Sequence, residues 1–317
     1  MREKSLLRVL GAVLLAALPL LLSGCSSALM DPKGQVGEEQ RVLIITAFAL
    51  MLIVVIPVIV MTLLFAYRYR EGNKDATYKP NWAHSNAIEI VVWLIPCVII
   101  VVLAILTWIT SHSLNPMKPI EADNNKEAIE IQAVSLDWKW LFIYPDQKIA
   151  TVNELAFPVD TPIHFRISSG SVMNSFWVPE LGTQIYAMAG MDSSLNLIAD
   201  DTGNWMGRST NYSGAGFSGM TFEALSLSDG DFNAWVKEVQ DSSRTLSFED
   251  EYQELAKPSE SEPVHHYSNV SPDLYNKILD SFRGGMEHHG HGGPAGHGHG
   301  EHSEQEHGER MSAEAAE

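Results

Sequence analysis

Apolar positions fall into three regimes along the chain. Leu6 to Leu22 is almost wholly apolar, begins among the basic residues Arg2, Lys4 and Arg8, and stops at "LLSGC". It is too short for a comfortable bilayer span and has the layout of a signal peptide over residues 1–24, leaving 25–42 outside the cytoplasm. Leu43 to Ala66 carries no charge, and only Glu89 interrupts Ile88 to Ile109. About twenty such residues cross a bilayer as a helix, so the pattern predicts transmembrane helices at 43–67 and 88–110 joined by a loop at 68–87. Pro57 and Pro96 predict kinks against protein neighbours. Beyond Pro119 the period drops to two. Ile129, Ile131 and Ala133 are followed by Leu136, Trp138, Trp140, Phe142 and Tyr144, with a slip between the sets that predicts one bulged strand. Ile163, Phe165 and Ile167, then Leu195, Leu197 and Ala199, then Met220, Phe222 and Ala224 repeat the alternation between turn residues, which predicts an all-β sandwich or barrel over 111–228.

The third regime is helical again. Phe232, Trp235, Val236 and Val239 follow an acidic cap at Asp229, and Leu274, Ile278, Leu279 and Phe282 follow Pro272 at a first-turn position. Two short amphipathic helices in an arm at 229–283, packed outside the sandwich, are expected. From Gly284 to residue 317 the chain is rich in Gly and His and too poor in apolar residues to build a core, so it reads as a disordered tail. Its histidines leave two readings open, a solvated tail or a loose metal reservoir.

Charge orients this plan. Arg68, Arg70, Lys74 and Lys79 all lie between the two spans, which sets that loop in the cytoplasm and both flanks outside. The net charge of -18 excludes a nucleic-acid partner, since no basic cluster offsets the repulsion of a phosphate backbone. Cys25 and Cys97 are the only cysteines and supply neither a disulfide framework nor a four-cysteine metal site. "LLSGC" resembles the lipobox of bacterial lipoproteins, which implies lipidation at Cys25.

Few residues are candidates for chemistry. Glu89 sits just inside the cytoplasmic mouth of the second span; it serves a proton pathway, or it snorkels to the interface and favours the helix N-terminus. Trp82, Trp108 and His112 fit an interfacial belt. Between Pro119 and Pro263 there is no cysteine and one histidine, His164, in a strand pattern that favours a sheet role over a metal-ligand role. Met173, Met188, Met191, Met206 and Met220 serve packing or, less commonly, Cu(I) binding.

"SLDWKWLFIYP", "VMNSFWVPELG" and "GRSTNYSGAGFSGM" carry a specific resemblance. Two spans followed by a sandwich with these strings resemble subunit II of the haem-copper respiratory oxidases, whose cytochrome c branch holds dinuclear copper on an early H-S-W/F segment and a later C-x-E-x-C-x-x-x-H-x-x-M loop. The resemblance implies a cupredoxin-like sandwich with a tryptophan-rich strand at Trp138 and Trp140. Mapped onto that pattern, Asn174 and Phe217 stand at histidine positions, Ser209 and Ser213 at cysteine positions, Asn211 at the glutamate position, and Met220 alone keeps a ligand type. Hydroxyls and a phenyl ring cannot replace bridging thiolates and imidazoles, so a copper-lacking, quinol-oxidising branch of the bo type is implied.

That branch implies a role as subunit II of a proton-pumping terminal ubiquinol oxidase in a bacterial inner membrane, with the C-terminal domain in the periplasm. No cofactor is then expected in this chain. Haem b, a high-spin haem and a copper ion belong to subunit I, with ubiquinol as substrate of the complex and subunits III and IV as further partners. Glu89, in "SNAIEIVVWLIP", matches a subunit II carboxylate at the mouth of a proton channel. Two other readings compete. A membrane-anchored copper-delivery protein would lose copper transfer when the tail is deleted; an acceptor for cytochrome c would need a metal that the domain's residues do not supply.

Overall fold

The computed structural model describes residues 28–283 except 76, 78–80, 123 and 125. The signal peptide, Cys25, Lys79 and the His-rich tail lie outside the described residues. Two long helices come first, α1 (Gln35–Arg68) and α2 (Asn86–Ser113), with mean hydropathies of 3.2 and 3.1 over their most apolar windows. Most of their apolar side chains are exposed, as lipid-facing surfaces are. α1 begins two turns before the charge-free run because its polar start docks on the sandwich. Gly37 is buried there, its amide donates to the Leu181 carbonyl at 3.0 Å, and Gln40 Nε2 donates to Thr183 Oγ1 at 2.6 Å. Only glycine fits at 37, since a Cβ would stand 2.7 Å from the Pro32 side chain.

Ten strands of the sandwich precede the arm: β1 (Ile129–Leu136), β2 (Lys139–Tyr144), β3 (Ile149–Val152), β4 (Glu154–Pro158), β5 (Ile163–Ser169), β6 (Asn174–Trp177), β7 (Ile185–Ala187), β8 (Ser193–Leu197), β9 (Gly203–Ser209) and β10 (Thr221–Leu227). The expected single bulged strand is instead the hairpin β1-β2, turning at Asp137-Trp138 with Trp138 at φ 65°. Its register pairs Ala133 with Phe142, an odd position with an even one. Adjacent antiparallel strands therefore present opposite parities on the same face, and the apparent slip is this change of parity.

Downstream lie α3 (Asp229–Gln240), β11 (Thr245–Leu246), α4 (Glu251–Leu255), β12 (His265–Tyr267), β13 (Asn269–Val270) and α5 (Leu274–Arg283). One sheet runs β12-β3-β2-β1-β5-β8 and the other β4-β10-β9-β6-β7, so the arm returns an edge strand to the sandwich. β1 runs parallel to β5 and β10 parallel to β4. The cap of α3 is Ser228 rather than Asp229: the Ser228 hydroxyl accepts the Asp231 amide at 3.2 Å. Pro272 precedes α5 instead of sitting in its first turn, because Asp273 adopts φ 59° and breaks the path.

Two cores result. Ile131, Ala133, Trp140, Phe142 and Tyr144 face the second sheet and α3, while Val134, Leu136, Leu141 and Ile143 face the layer of Tyr252, Tyr267, Leu274, Tyr275 and Ile278. Every residue of β2 is buried, because both sides of that strand are covered.

Candidate functional site

One end of the sandwich gathers the residues that the sequence pattern singled out. β6 delivers Asn174, β9 delivers Ser209, and the loop between β9 and β10 delivers Asn211, Ser213 and Phe217 through a 3-10 turn at Ala215–Gly219. Asn174 is fully buried and Ser209 nearly so, and the Ser209 hydroxyl donates to Asn174 Oδ1 at 2.7 Å. Asn174 Nδ2 in turn donates to the Val172 carbonyl at 3.3 Å. Asn211 Nδ2 ties the loop to the Met173 carbonyl at 2.9 Å, and the Thr210 amide donates to the Ser175 carbonyl at 3.1 Å. Met220 closes the loop with its carbonyl on the Ser209 amide at 3.1 Å, while its side chain is buried in the main core. Phe217 is half-buried, with its ring against Tyr212 at 5.6 Å. The Ser213 hydroxyl is buried and has no partner among the described residues.

The two tryptophans separate. Trp140 lies in β2, fully buried, with centroids 5.4 Å from Phe176 and 5.9 Å from Phe222. Trp138 is on the hairpin turn and not in a strand. Its indole covers the loop: Nε1 donates to the Ser213 carbonyl at 3.2 Å, and a Cβ on Gly216 would stand 2.5 Å from its ring. Glycine at 216 therefore permits a close approach that any side chain would block.

Glu89 stands apart from this end, in the first turn of α2, with His84 Nδ1 4.0 Å from its carboxylate. His164 Nδ1 is 3.0 Å from Asn196 Oδ1, a satisfied sheet residue. Lys139 had no signal in the alternation. Only 2% exposed, it donates to the Lys257 carbonyl at 2.8 Å and to Ser259, and it lies 3.9 Å from Glu262. Burial lowers its pKa against the pull of Glu262 and Asp137, while Glu262 is held low by the Ser259 hydroxyl, His265 and Lys139. The run KWLFIY, buried at every position and so at both parities, is the signal that a covering layer had to supply this lysine with partners.

Three family models match successive parts of the chain: the cytochrome c oxidase subunit II transmembrane domain over residues 25–108, the periplasmic domain of that subunit over 147–225, and the COX aromatic rich motif over 240–286. The cytochrome bo(3) ubiquinol oxidase subunit 2 of Pseudomonas aeruginosa is 57% identical over 86% of this chain and 80% of its own length. The chain belongs to the ubiquinol oxidase subunit 2 family. Within that family, the Pseudomonas putida cytochrome bo(3) ubiquinol oxidase subunit 2 is 54% identical over 84% of this chain and 83% of its own. The ubiquinol oxidase subunit 2 of Acetobacter aceti is 51% identical over 90% and 92%. The cupredoxin-like sandwich and the helical pair are thus the periplasmic and transmembrane parts of this family's subunit, and the aromatic-rich model falls on the arm that builds the second core.

Proposed function

We infer that this chain is the non-redox subunit II of a proton-pumping ubiquinol oxidase. The observation that carries the reading is the closed end of the sandwich, where the Ser209 hydroxyl is already donated to Asn174 and Asn211 is tied to backbone. Serine oxygens are hard and un-ionised, asparagine offers only an amide, and Phe217 offers no donor atom, so these residues do not fit a dinuclear copper centre. No electron step is routed through the domain. Quinol is lipid-soluble and delivers its electrons within the membrane to the haem b, high-spin haem and copper of subunit I, and α1 and α2 pack on that subunit beside subunits III and IV. The sandwich covers the periplasmic face, with a lipid on Cys25 as a second anchor.

Glu89 is the working residue of this reading. Its place in the first turn of α2 puts a carboxylate near unpaired helix N–H groups and beside His84, at the cytoplasmic side where protons are taken up. Glu89→Ala slows quinol-driven oxygen consumption, whereas Ser209→Ala and Phe217→Ala leave it near wild type. Equal loss in all three variants, or reduced cytochrome c serving as well as quinol as donor, would overturn the proposal.

A further inference from the structure

A cleft of about 350 Å³ opens where the two spanning helices meet the sandwich. One wall is the start of α1, with Gln35, Val36 and Glu39; the other is the connector after α2, from Ser113 to Glu121; Thr183 and Asn196 form the roof. Both walls are fixed. α1 is held to the sandwich by the Gly37 amide on Leu181 and by Gln40 on Thr183. The connector is held by Asn196, whose backbone amide and Nδ2 both donate to the Pro116 carbonyl, at 2.9 and 3.0 Å. The cavity is therefore shaped before anything occupies it, which removes much of the ordering cost of binding.

Its depth identifies the environment. Glu39 lies one helical turn, about 5–6 Å, outside the charge-free run that starts at Leu43. The polar layer of each leaflet is about 5–8 Å thick, so the cleft opens at headgroup level and not in hydrocarbon or bulk periplasm. Its charges identify the occupant. Lys118 lines it together with two carboxylates, Glu39 and Glu121, and none of these three side chains has a hydrogen-bond or ion-pair partner among the described residues. A purely anionic headgroup would meet a net negative rim. A zwitterionic one satisfies all three groups, its phosphate on Lys118 and its ammonium on the carboxylates, with the amides of Gln35 and Asn115 as further donors.

We propose that this cleft is a specific site for the headgroup of a phosphoethanolamine lipid of the outer leaflet. The lipid wedges between the helical pair and the sandwich and fills the space beside the Gly37 joint. The test uses the full-length chain, with the subunits that accompany it, in nanodiscs of equal phosphatidylethanolamine and phosphatidylglycerol. These are extracted into mild detergent, and retained lipid is counted by native mass spectrometry. Wild type retains phosphatidylethanolamine in preference to phosphatidylglycerol. Lys118→Glu lowers that retention about tenfold, and Glu39→Gln with Glu121→Gln removes the preference by a similar factor. All three positions are exposed or half-buried, so the variants fold. Equal retention of the two lipids by wild type, or variants that retain as wild type does, overturns the site. Displacement of the lipid by inorganic phosphate would mark a free-anion site instead, and a photo-crosslinker at position 39 that captures another subunit in place of lipid would assign the cleft to a protein contact; either also overturns it.

Discussion

Phe176→Ala is the most demanding test of how the closed end of the sandwich is supported. Phe176 is fully buried in β6, two residues from Asn174, and its ring meets Phe165 at 5.2 Å, Phe222 at 5.3 Å, Trp140 at 5.4 Å and Phe142 at 6.3 Å. Removing the ring forfeits about 2–3 kcal/mol of burial. The walls left behind are other rigid rings on paired strands, which cannot collapse into the gap, so a cavity contribution brings the loss to about 4 kcal/mol. Phe217→Ala is the internal comparison: its half-buried ring meets only Tyr212 among the aromatic contacts of the described residues, and its removal costs about 1 kcal/mol or less. Denaturant unfolding of the full-length chain in detergent, followed by near-UV circular dichroism of the sandwich, measures both. Should Phe176→Ala cost no more than Phe217→Ala, the aromatic cluster is not what holds β6 and β9 together, and the account of the site's rigidity fails.

Gly207→Ala places a Cβ 2.1 Å from two ring atoms of Phe222, a ring already wedged against Phe176 and Phe142, and costs about 1–3 kcal/mol by the same unfolding measurement; Gly219→Ala, whose nearest neighbour is the Ser261 hydroxyl at 3.9 Å, costs nothing measurable and serves as control. Alkaline pH destabilises the sandwich. Burial raises Tyr144, Tyr252, Tyr267 and Tyr275 above the ordinary tyrosine value of 10.0, so their stabilisation is intact below pH 10.0 and is lost as the unfolded chain begins to ionise above it. Lys139 works in the opposite sense, since its folded value is lowered from 10.5 and stability gains as pH rises through that interval, but it is one group against four. Denaturant midpoints from pH 8 to 11 should hold or rise slightly and then fall beyond 10; a continuous rise across the range would refute the burial of the tyrosines.

Much of this architecture was legible because its physical signal is local. A charge-free run long enough to span hydrocarbon has little alternative to helix, and alternation bounded by turn residues has little alternative to strand. The end of the sandwich was legible for another reason: resemblance to the subunit II pattern points to Asn174 and Ser209, 35 residues apart, and β9 pairs with β6 at Ser209↔Phe176. What escaped was set by contacts distant in sequence. Parity alone cannot distinguish a bulge from a two-residue hairpin, because both shift the alternation by one; the alternation puts Trp138 in a strand, whereas it caps the loop. The polar start of α1 carries no apolar period, and its helix exists because Gly37 and Gln40 find partners near residue 181.

Lys139 shows the same limit from the other side. A lysine between two tryptophans looks like the solvent face of an alternating strand, yet Leu141 and Ile143 occupy that face with it, and apolar residues on both sides of one strand require two covering layers. The second layer is the arm, which reaches Lys139 through the Lys257 carbonyl and Ser259 and reaches Asn153 through the Glu262 carbonyl at 2.8 Å. Asn153 also accepts the Trp140 amide at 2.9 Å, so the buried groups that hold the arm also hold the strand on which the aromatic cluster stands. The arm is therefore part of what keeps the loop end closed, even though the side chains of Ser209 and Asn174 hydrogen-bond to each other and to the Val172 carbonyl.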